Sequence, residues 1–86
     1  MKTKFIYTVE AAEKLLVNGS IESGGTIFTK TFHNENKAKL AGEKLLKRKD
    51  VLSVWIHKYD TEENGDPVYQ WRKYSDDLSW KGGCYW

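Results

Sequence analysis

The stretch VLSVWIHKY, residues 51–59, decides the fold, because its side chains alternate with the two-residue period of a β-strand. One side of this strand carries leucine, valine and isoleucine, which belong in a core. The other side carries three ring-bearing residues, Trp55, His57 and Tyr59. A strand with one apolar face has to bury that face under a second layer, so the pattern predicts a sheet covered on one side.

The segment after this strand predicts a hairpin. Residues 60–66 are polar and contain Asn64-Gly65, the dipeptide that most favours a type I′ turn. Residues 68–74 are rich in aromatic residues and are expected to return as the antiparallel partner strand. Residues 80–86 then either add a last short strand or pack their aromatic side chains onto the sheet.

A two-residue turn at Asn64-Gly65 sets the register of this hairpin, unless a β-bulge shifts it. The predicted pairs are Trp55 with Tyr74, His57 with Arg72, and Tyr59 with Gln70. One face of the hairpin then displays aromatic rings beside a cation, as do platforms that stack unpaired bases and hot spots that bind proteins. The candidate partner-binding residues on this face are Trp55, His57, Tyr59, Arg72 and Tyr74. The competing interpretation is a second core, in which an N-terminal helix or the C-terminal aromatics cover the face; those aromatics are Trp80, Tyr85 and Trp86.

The N-terminal part of the chain allows two interpretations. In the first, residues 4–7 form a short strand and Thr8 caps a helix that ends near Gly19. The apolar face of this helix consists of Ala11, Ala12, Leu15 and Leu16. In the second, residues 4–17 form one long strand that begins a hairpin, since the valines of this segment suit strands as well. We favour the helix.

Another helix is predicted in the middle of the chain. Residues 20–25 are expected to form a loop before a strand over residues 26–32, where threonine, isoleucine and phenylalanine are dense. Asn34 or Asn36 then caps a helix that runs to about Lys49. The inward face of this helix is narrow and made mostly of small residues, which predicts close packing on the sheet. Its members are Ala38, Ala41, Gly42, Leu45 and Leu46.

The outward face of this helix places an apolar residue among cations. At 100° per residue, Leu40 lies on the far side from Ala38, close to three lysines. The three are Lys37, Lys44 and Lys47. One interpretation is a solvated helix whose lysine stems cover a single apolar residue. The other is a docking patch for an acidic surface or a phosphate backbone, with Leu40 at its centre.

Length and charge limit the architecture and the partners. Eighty-six residues accommodate one domain, so residues 1–86 are expected to form a single α+β domain. We predict an antiparallel sheet of three to five strands with one or two helices packed on it. Fourteen Lys and Arg residues against twelve Asp and Glu leave a net charge of +2, which is too small to indicate a nucleic-acid partner by itself.

Several kinds of site are not expected. One cysteine and two histidines predict neither a disulfide framework nor a structural zinc site, and they suit a reducing cytoplasm. The acidic turn resembles the start of a calcium-binding loop, but Trp71 occupies the position where the bidentate glutamate belongs. His33, His57 and Cys84 have no spacing typical of a catalytic site. We therefore expect no enzyme, metal or cofactor, and no signal peptide or membrane span.

In size and arrangement the chain resembles small single-domain proteins of phages and mobile elements, including anti-CRISPR proteins built as a short sheet with one helix. The residues behind this resemblance are KFIY at 4–7, the lysine-rich helix 37–49, and the aromatic hairpin segments 51–59 and 68–71. The resemblance implies a non-enzymatic inhibitor or adaptor that binds a host complex, often one that handles nucleic acid.

Three functions are therefore expected, in this order. The first is a binding module of the phage-inhibitor type, whose partner is a host protein or nucleoprotein complex. The second is direct binding of nucleic acid, in which the aromatics stack bases and the helix cations follow the phosphate backbone. Those cations are Lys37, Lys39, Lys44, Lys47 and Arg48. The third is a small homodimer that hides its aromatic face by self-association.

Overall fold

Five strands and one helix make up the part of the chain that a computed structural model describes, residues 5–62 and 65–84. The strands form a single antiparallel sheet in the order β2-β1-β3-β4-β5, and the helix packs on one face of it. In chain order the elements are β1 (Phe5–Val17), β2 (Ser20–Phe32), α1 (Glu35–Leu46), β3 (Val51–Asp60), β4 (Tyr69–Tyr74) and β5 (Lys81–Cys84). The predicted α+β class is confirmed. The C-terminal segment forms a strand, which was one of its two predicted alternatives.

The N-terminal helix is wrong, and so is the loop predicted over residues 20–25. The other interpretation of the N-terminal segment, one long strand that begins a hairpin, is confirmed. Both segments belong to a hairpin of two 13-residue strands. The turn consists of Asn18 and Gly19, whose φ angles of 50° and 82° are both positive, as a type I′ turn requires. Strand β1 is hydrogen-bonded on both sides, to β2 and to β3, and these pairings outweigh the local preference of an Ala- and Leu-rich segment for a helix.

Gly19 is the first position at which this fold can be tested. Gly19→Ala is expected to lower the free energy of unfolding by about 1 kcal/mol, because a Cβ atom disfavours a positive φ. Gly25→Ala is the matched control, since Gly25 lies in the same hairpin without a positive φ and with open space around a new Cβ. Urea unfolding followed by circular dichroism measures both variants. Equal losses in the two would contradict the assigned turn.

The hairpin is longer than the rest of the sheet. Strand β3 pairs with β1 only as far as Glu13, so the end of the hairpin extends beyond the sheet as a two-stranded arm. Leu16 and Ile21 face each other across this arm and are 75% and 59% exposed. The end of the hairpin therefore exposes apolar residues to solvent. The predicted N-terminal helix would not have formed this arm.

Helix α1 begins as predicted and ends earlier. The side chain of Asn34 accepts a hydrogen bond from the backbone N–H of Lys37 at 3.1 Å, which confirms Asn34 as the cap. The helix ends at Leu46, three residues before the predicted end, because the chain has to turn before it enters β3 at Val51. Its buried residues are Ala38, Gly42 and Leu45.

The core lies between α1 and the face of the sheet beneath it. Helix α1 packs mainly on β3 and β1 and scarcely touches β2. The side chains on the helix-bearing side of the two central strands are fully buried; they are Val9, Ala11, Val54 and Ile56. Tyr7 continues this row, and its pKa is raised by burial and, to a smaller extent, by the nearby carboxylate of Glu35.

The register of the β3–β4 hairpin differs from the prediction by two residues. Trp55 is paired with Arg72, His57 with Gln70, and Ser53 with Tyr74. The Asp60 carboxylate accepts a hydrogen bond from the backbone N–H of Glu62 at 2.9 Å, and this local turn ends β3 before the predicted tip. Residues 63–64, and with them part of the predicted Asn64-Gly65 turn, lie outside the described residues. Because a shift of two residues preserves the alternation, each side chain stays on its predicted face.

Candidate binding surfaces

The face of the sheet opposite α1 is open over the described residues. The helix that was expected to cover it is strand β1 instead, and Trp80 packs against α1 on the other side, close to Gly42. Tyr85 and Trp86 lie outside the described residues. We call this surface the open face. It brings together all five residues predicted for it. They are Trp55, His57, Tyr59, Arg72 and Tyr74, and each is partly exposed.

Trp55 is the centre of the open face. It stands between two shallow hollows and lines both of them. On one side lies a hollow between β3 and β5 that is also lined by Gln70, Arg72, Lys81, Gly82 and Gly83. On the other side a wider hollow reaches Glu10, Ala11, Ala12, Ser23, Gly24, Thr26 and His57. The ring of His57 lies almost parallel to that of Trp55, at 8° and with 6.1 Å between the centroids.

Arg72 is held in place by aromatic rings. Its guanidinium carbon lies 5.3 Å from the ring centroid of Trp55 and 5.2 Å from that of Tyr74, within the range of cation–π attraction. None of the ion pairs among the described residues includes Arg72. Its Nε atom is buried and has no hydrogen-bond partner in the described part of the chain. Arg72 therefore presents an oriented positive charge that is not neutralised by a described carboxylate.

The rest of the open face mixes both signs of charge with threonine. Glu10 and His57 approach to 3.3 Å between carboxylate oxygen and Nε2, and Lys81 lies 3.9 Å from a carboxylate oxygen of Asp77. The hydroxyl groups of Thr8 and Thr31 are 3.4 Å apart on neighbouring strands. Over the described residues, this surface offers donors, acceptors and ring faces, but no continuous row of cations.

The lysine-bearing surface lies on the other side of the sheet, and the structure divides the residues predicted for it. Leu40 is 60% exposed, and it borders one groove together with Lys37 and Lys44. Lys47 follows the end of α1 and borders a different hollow, beside Glu43 and Lys73.

The opposite wall of the Leu40 groove was not predicted from the sequence. Phe28, Lys30 and Phe32 of β2 form that wall. Their alternation within the predicted strand was a usable signal for a shared face. What the sequence lacked was the order of the strands, which places β2 beside the helix.

The two remaining cations predicted on the helix, Lys39 and Arg48, are in ion pairs. Lys39 donates to Glu35 at 2.9 Å and lies over the ring of Trp71, and Arg48 makes two hydrogen bonds to Asp50. The hydrogen bond from Lys73 lowers the pKa of Glu43, and the hydrogen bonds from Arg48 lower the pKa of Asp50.

Three further observations bear on other functions. Among the described residues, no group of three or more His, Cys, Asp or Glu side chains is arranged to hold a metal ion. Helix α1, the one helix within those residues, is too short and polar to cross a membrane. A contact between His57 and the thiol of Cys84, which the sequence leaves geometrically possible, falls outside the described side chains.

Comparison with known proteins identifies no relative. No protein-family model, curated protein or solved structure matches the chain. The resemblance to small phage proteins therefore stays a prediction.

Proposed function

We propose that this protein is a non-catalytic binding module that docks a partner protein on its open face. The observation that carries the proposal is Arg72, held between the rings of Trp55 and Tyr74 on a face that no described element covers. Tryptophan, tyrosine and arginine are the residues that contribute most often to binding energy at protein interfaces. A preoriented guanidinium also loses less conformational freedom on binding than a mobile one does.

The distribution of charge favours a protein over nucleic acid as the partner of this face. Single-strand binding surfaces place cations along the same groove as their stacking rings, because each base is attached to a phosphate. Here the rings of Trp55 and Tyr74 lie on one face of the sheet, while the lysines around Leu40 border α1 on the other. A nucleic acid that contacts both the stacking aromatics and the helix cations would therefore have to extend from one face of the sheet to the other.

The class of partner follows the sequence-based prediction. We propose a cytoplasmic host protein, or a protein within a nucleic-acid-handling complex, whose activity the module blocks or redirects. The mixed charge of the open face suits such a surface, because complementary charges orient the approach of two proteins. Partners retained from host lysate by immobilised protein are identified by quantitative mass spectrometry.

Trp55→Ala tests the open face. Once the retained partner is purified, this substitution is expected to weaken its binding about 30-fold, since a central interface tryptophan contributes about 2 kcal/mol or more. Leu78→Ala is the matched control, because Leu78 is 99% exposed and lies outside both hollows beside Trp55. Isothermal titration calorimetry gives the affinities, and urea unfolding verifies that both variants are folded.

Three results would overturn the proposal. Equal affinities of Trp55→Ala and Leu78→Ala for the partner would place the interface elsewhere. Quenching of tryptophan fluorescence by mixed-sequence single-stranded RNA or DNA, strong at about 50 mM salt and weak at about 200 mM, would favour direct nucleic-acid binding. A species of about twice the monomer mass in light scattering, lost in Trp55→Ala, would assign the open face to a homodimer.

A further inference from the structure

A second surface of the molecule combines an apolar floor with unneutralised lysines. Because α1 packs on β3 and β1, it leaves the adjoining surface of β2 uncovered, and a groove runs between helix and strand. Phe28 and Phe32 form the strand wall, half-buried and packed against the core. Leu40 and Ala41 form the helix wall. The groove, which we call the α1–β2 groove, lies on the opposite side of the sheet from the open face.

The charged residues that line the α1–β2 groove all have one sign. Its seven lining residues include three lysines, Lys30, Lys37 and Lys44, and no carboxylate. None of the ion pairs among the described residues involves these three lysines. Other lysines of the same region are paired, as Lys39 is with Glu35 and Lys73 is with Glu43. The groove therefore has an electrostatic preference for an acidic occupant.

The strand beside the groove is also the edge of the sheet. In the order of the described strands β2 has β1 on one side and no strand on the other, so its outer backbone N–H and C=O groups are not paired within the sheet. After a bulge, Phe28 to Phe32 pair regularly with β1, from Ala11 to Tyr7. An added strand next to this segment would lie about 4.8 Å from β2 and would direct alternate side chains toward Leu40 and the lysines.

We propose that the β2 edge and the α1–β2 groove bind an extended acidic peptide segment of another protein. The peptide adds a strand to β2 by backbone hydrogen bonds, places apolar side chains on Phe28, Phe32 and Leu40, and sets carboxylates near the three lysines. The extended form follows from the free edge, and the acidic character follows from the unneutralised lysines. This site goes beyond the proposed function, because it lies on the other side of the sheet and uses none of the open-face residues.

The test is a selection followed by an affinity measurement. A random nine-residue peptide library is displayed and selected on the immobilised protein, and enriched peptides are labelled with fluorescein for anisotropy titrations. We expect the enriched sequences to be acidic, with apolar residues at alternate positions. The double substitution Lys37→Glu with Lys44→Glu is expected to weaken their binding at least about tenfold. N-methylation of alternate peptide amides is expected to weaken binding by a similar factor, since it removes the strand hydrogen bonds.

Lys47→Glu is the matched control, because Lys47 adjoins the same helix outside the groove and should leave peptide affinity within about twofold. Circular dichroism verifies that each variant is folded. The proposal is overturned if no peptides are enriched, if the enriched peptides lack acidic residues, or if Lys47→Glu weakens them as much as the double variant does. It is also overturned if single-stranded DNA binds these lysines more tightly than the peptides do. A dimer mass in light scattering, with a second copy of the chain on the β2 edge, would overturn it as well. Trp55→Ala should leave peptide binding unchanged, so the two proposed surfaces fail or succeed separately.

Discussion

Replacing Ile56 by alanine is expected to lower the free energy of unfolding by about 3 kcal/mol, the usual cost of removing a fully buried isoleucine side chain. Ile56 is 0% exposed and lies in the middle of β3, paired with Val9 on one side and with Trp71 on the other. The loss combines the hydrophobic transfer energy of the deleted atoms with the cavity left under α1. Domains of this size have a free energy of unfolding of about 5–15 kcal/mol, so much of it would be lost.

The size of this loss should depend on the burial of Ile56 and not on the residue type. Ile21→Ala removes the same atoms from a side chain that is 59% exposed on the hairpin arm, and it should change stability by less than about 0.5 kcal/mol. Urea unfolding followed by circular dichroism compares both variants with the parent protein. A cost below about 1 kcal/mol for Ile56→Ala would mean that α1 does not cover this strand.

The second large effect is expected at Gly42, where α1 packs closely against Trp80 and Val54. A Cβ atom at this position would lie 2.7 Å from Cη2 of Trp80 and 3.1 Å from Cγ1 of Val54. Gly42→Leu is therefore expected to cost about 3 kcal/mol of unfolding free energy, although leucine is intrinsically the better helix former. The larger side chain has to push the helix off the sheet or expel the Trp80 ring.

A double-mutant cycle separates the contribution of Trp80 to this cost from that of Val54. In a Trp80→Ala background the closest contacts of a Cβ atom at position 42 are removed and the one with Val54 remains, so Gly42→Ala should cost at least about 1 kcal/mol less than it does in the parent protein. Chemical denaturation of the four proteins gives the coupling. Strictly additive effects would show that Trp80 does not pack on α1, and would leave Val54 as the cause of the restriction.

The helix and the central strand were predictable because their signals are local. Asn34 next to a helix-forming segment, and small residues at three- and four-residue spacing, specify a capped helix with one narrow buried face. Alternation along residues 51–59 specifies which side chains share a face, and this assignment survived the two-residue error in register. Because side chains alternate with a period of two, a register shift by an even number of residues leaves each side chain on the same face. The same shift changes which residues are paired across the two strands.

The first hairpin was the less favoured of the two predictions for its segment, although a further signal for it exists. Asn18-Gly19 is the same dipeptide as Asn64-Gly65, and it is flanked by Val17 and Ile21, which suit strands. Helical spacing of Ala11, Ala12, Leu15 and Leu16 competed with it. The segment's local preferences do not separate the two outcomes; pairing with β2 and β3 does.

The candidate surfaces show the same division. Sequence alternation placed all five open-face residues on one face, and the helical period placed Leu40 with Lys37 and Lys44. Neither pattern revealed that Lys47 borders a different hollow. Neither revealed that Phe28, Lys30 and Phe32 complete the groove. These relations depend on strand order, which brings together residues far apart in the chain.

The sequence by itself determined the α+β class, the helix with its cap, and the face on which each side chain of β3 and β4 lies. These properties depend on contacts within one element, whose period is written in neighbouring residues. Only the tertiary structure decided that residues 5–17 are a strand, that the aromatic face is open, and that the unneutralised lysines lie on the opposite side of the sheet. Those outcomes depend on pairing between segments distant in sequence, and the free energy of that pairing has no counterpart in any local pattern.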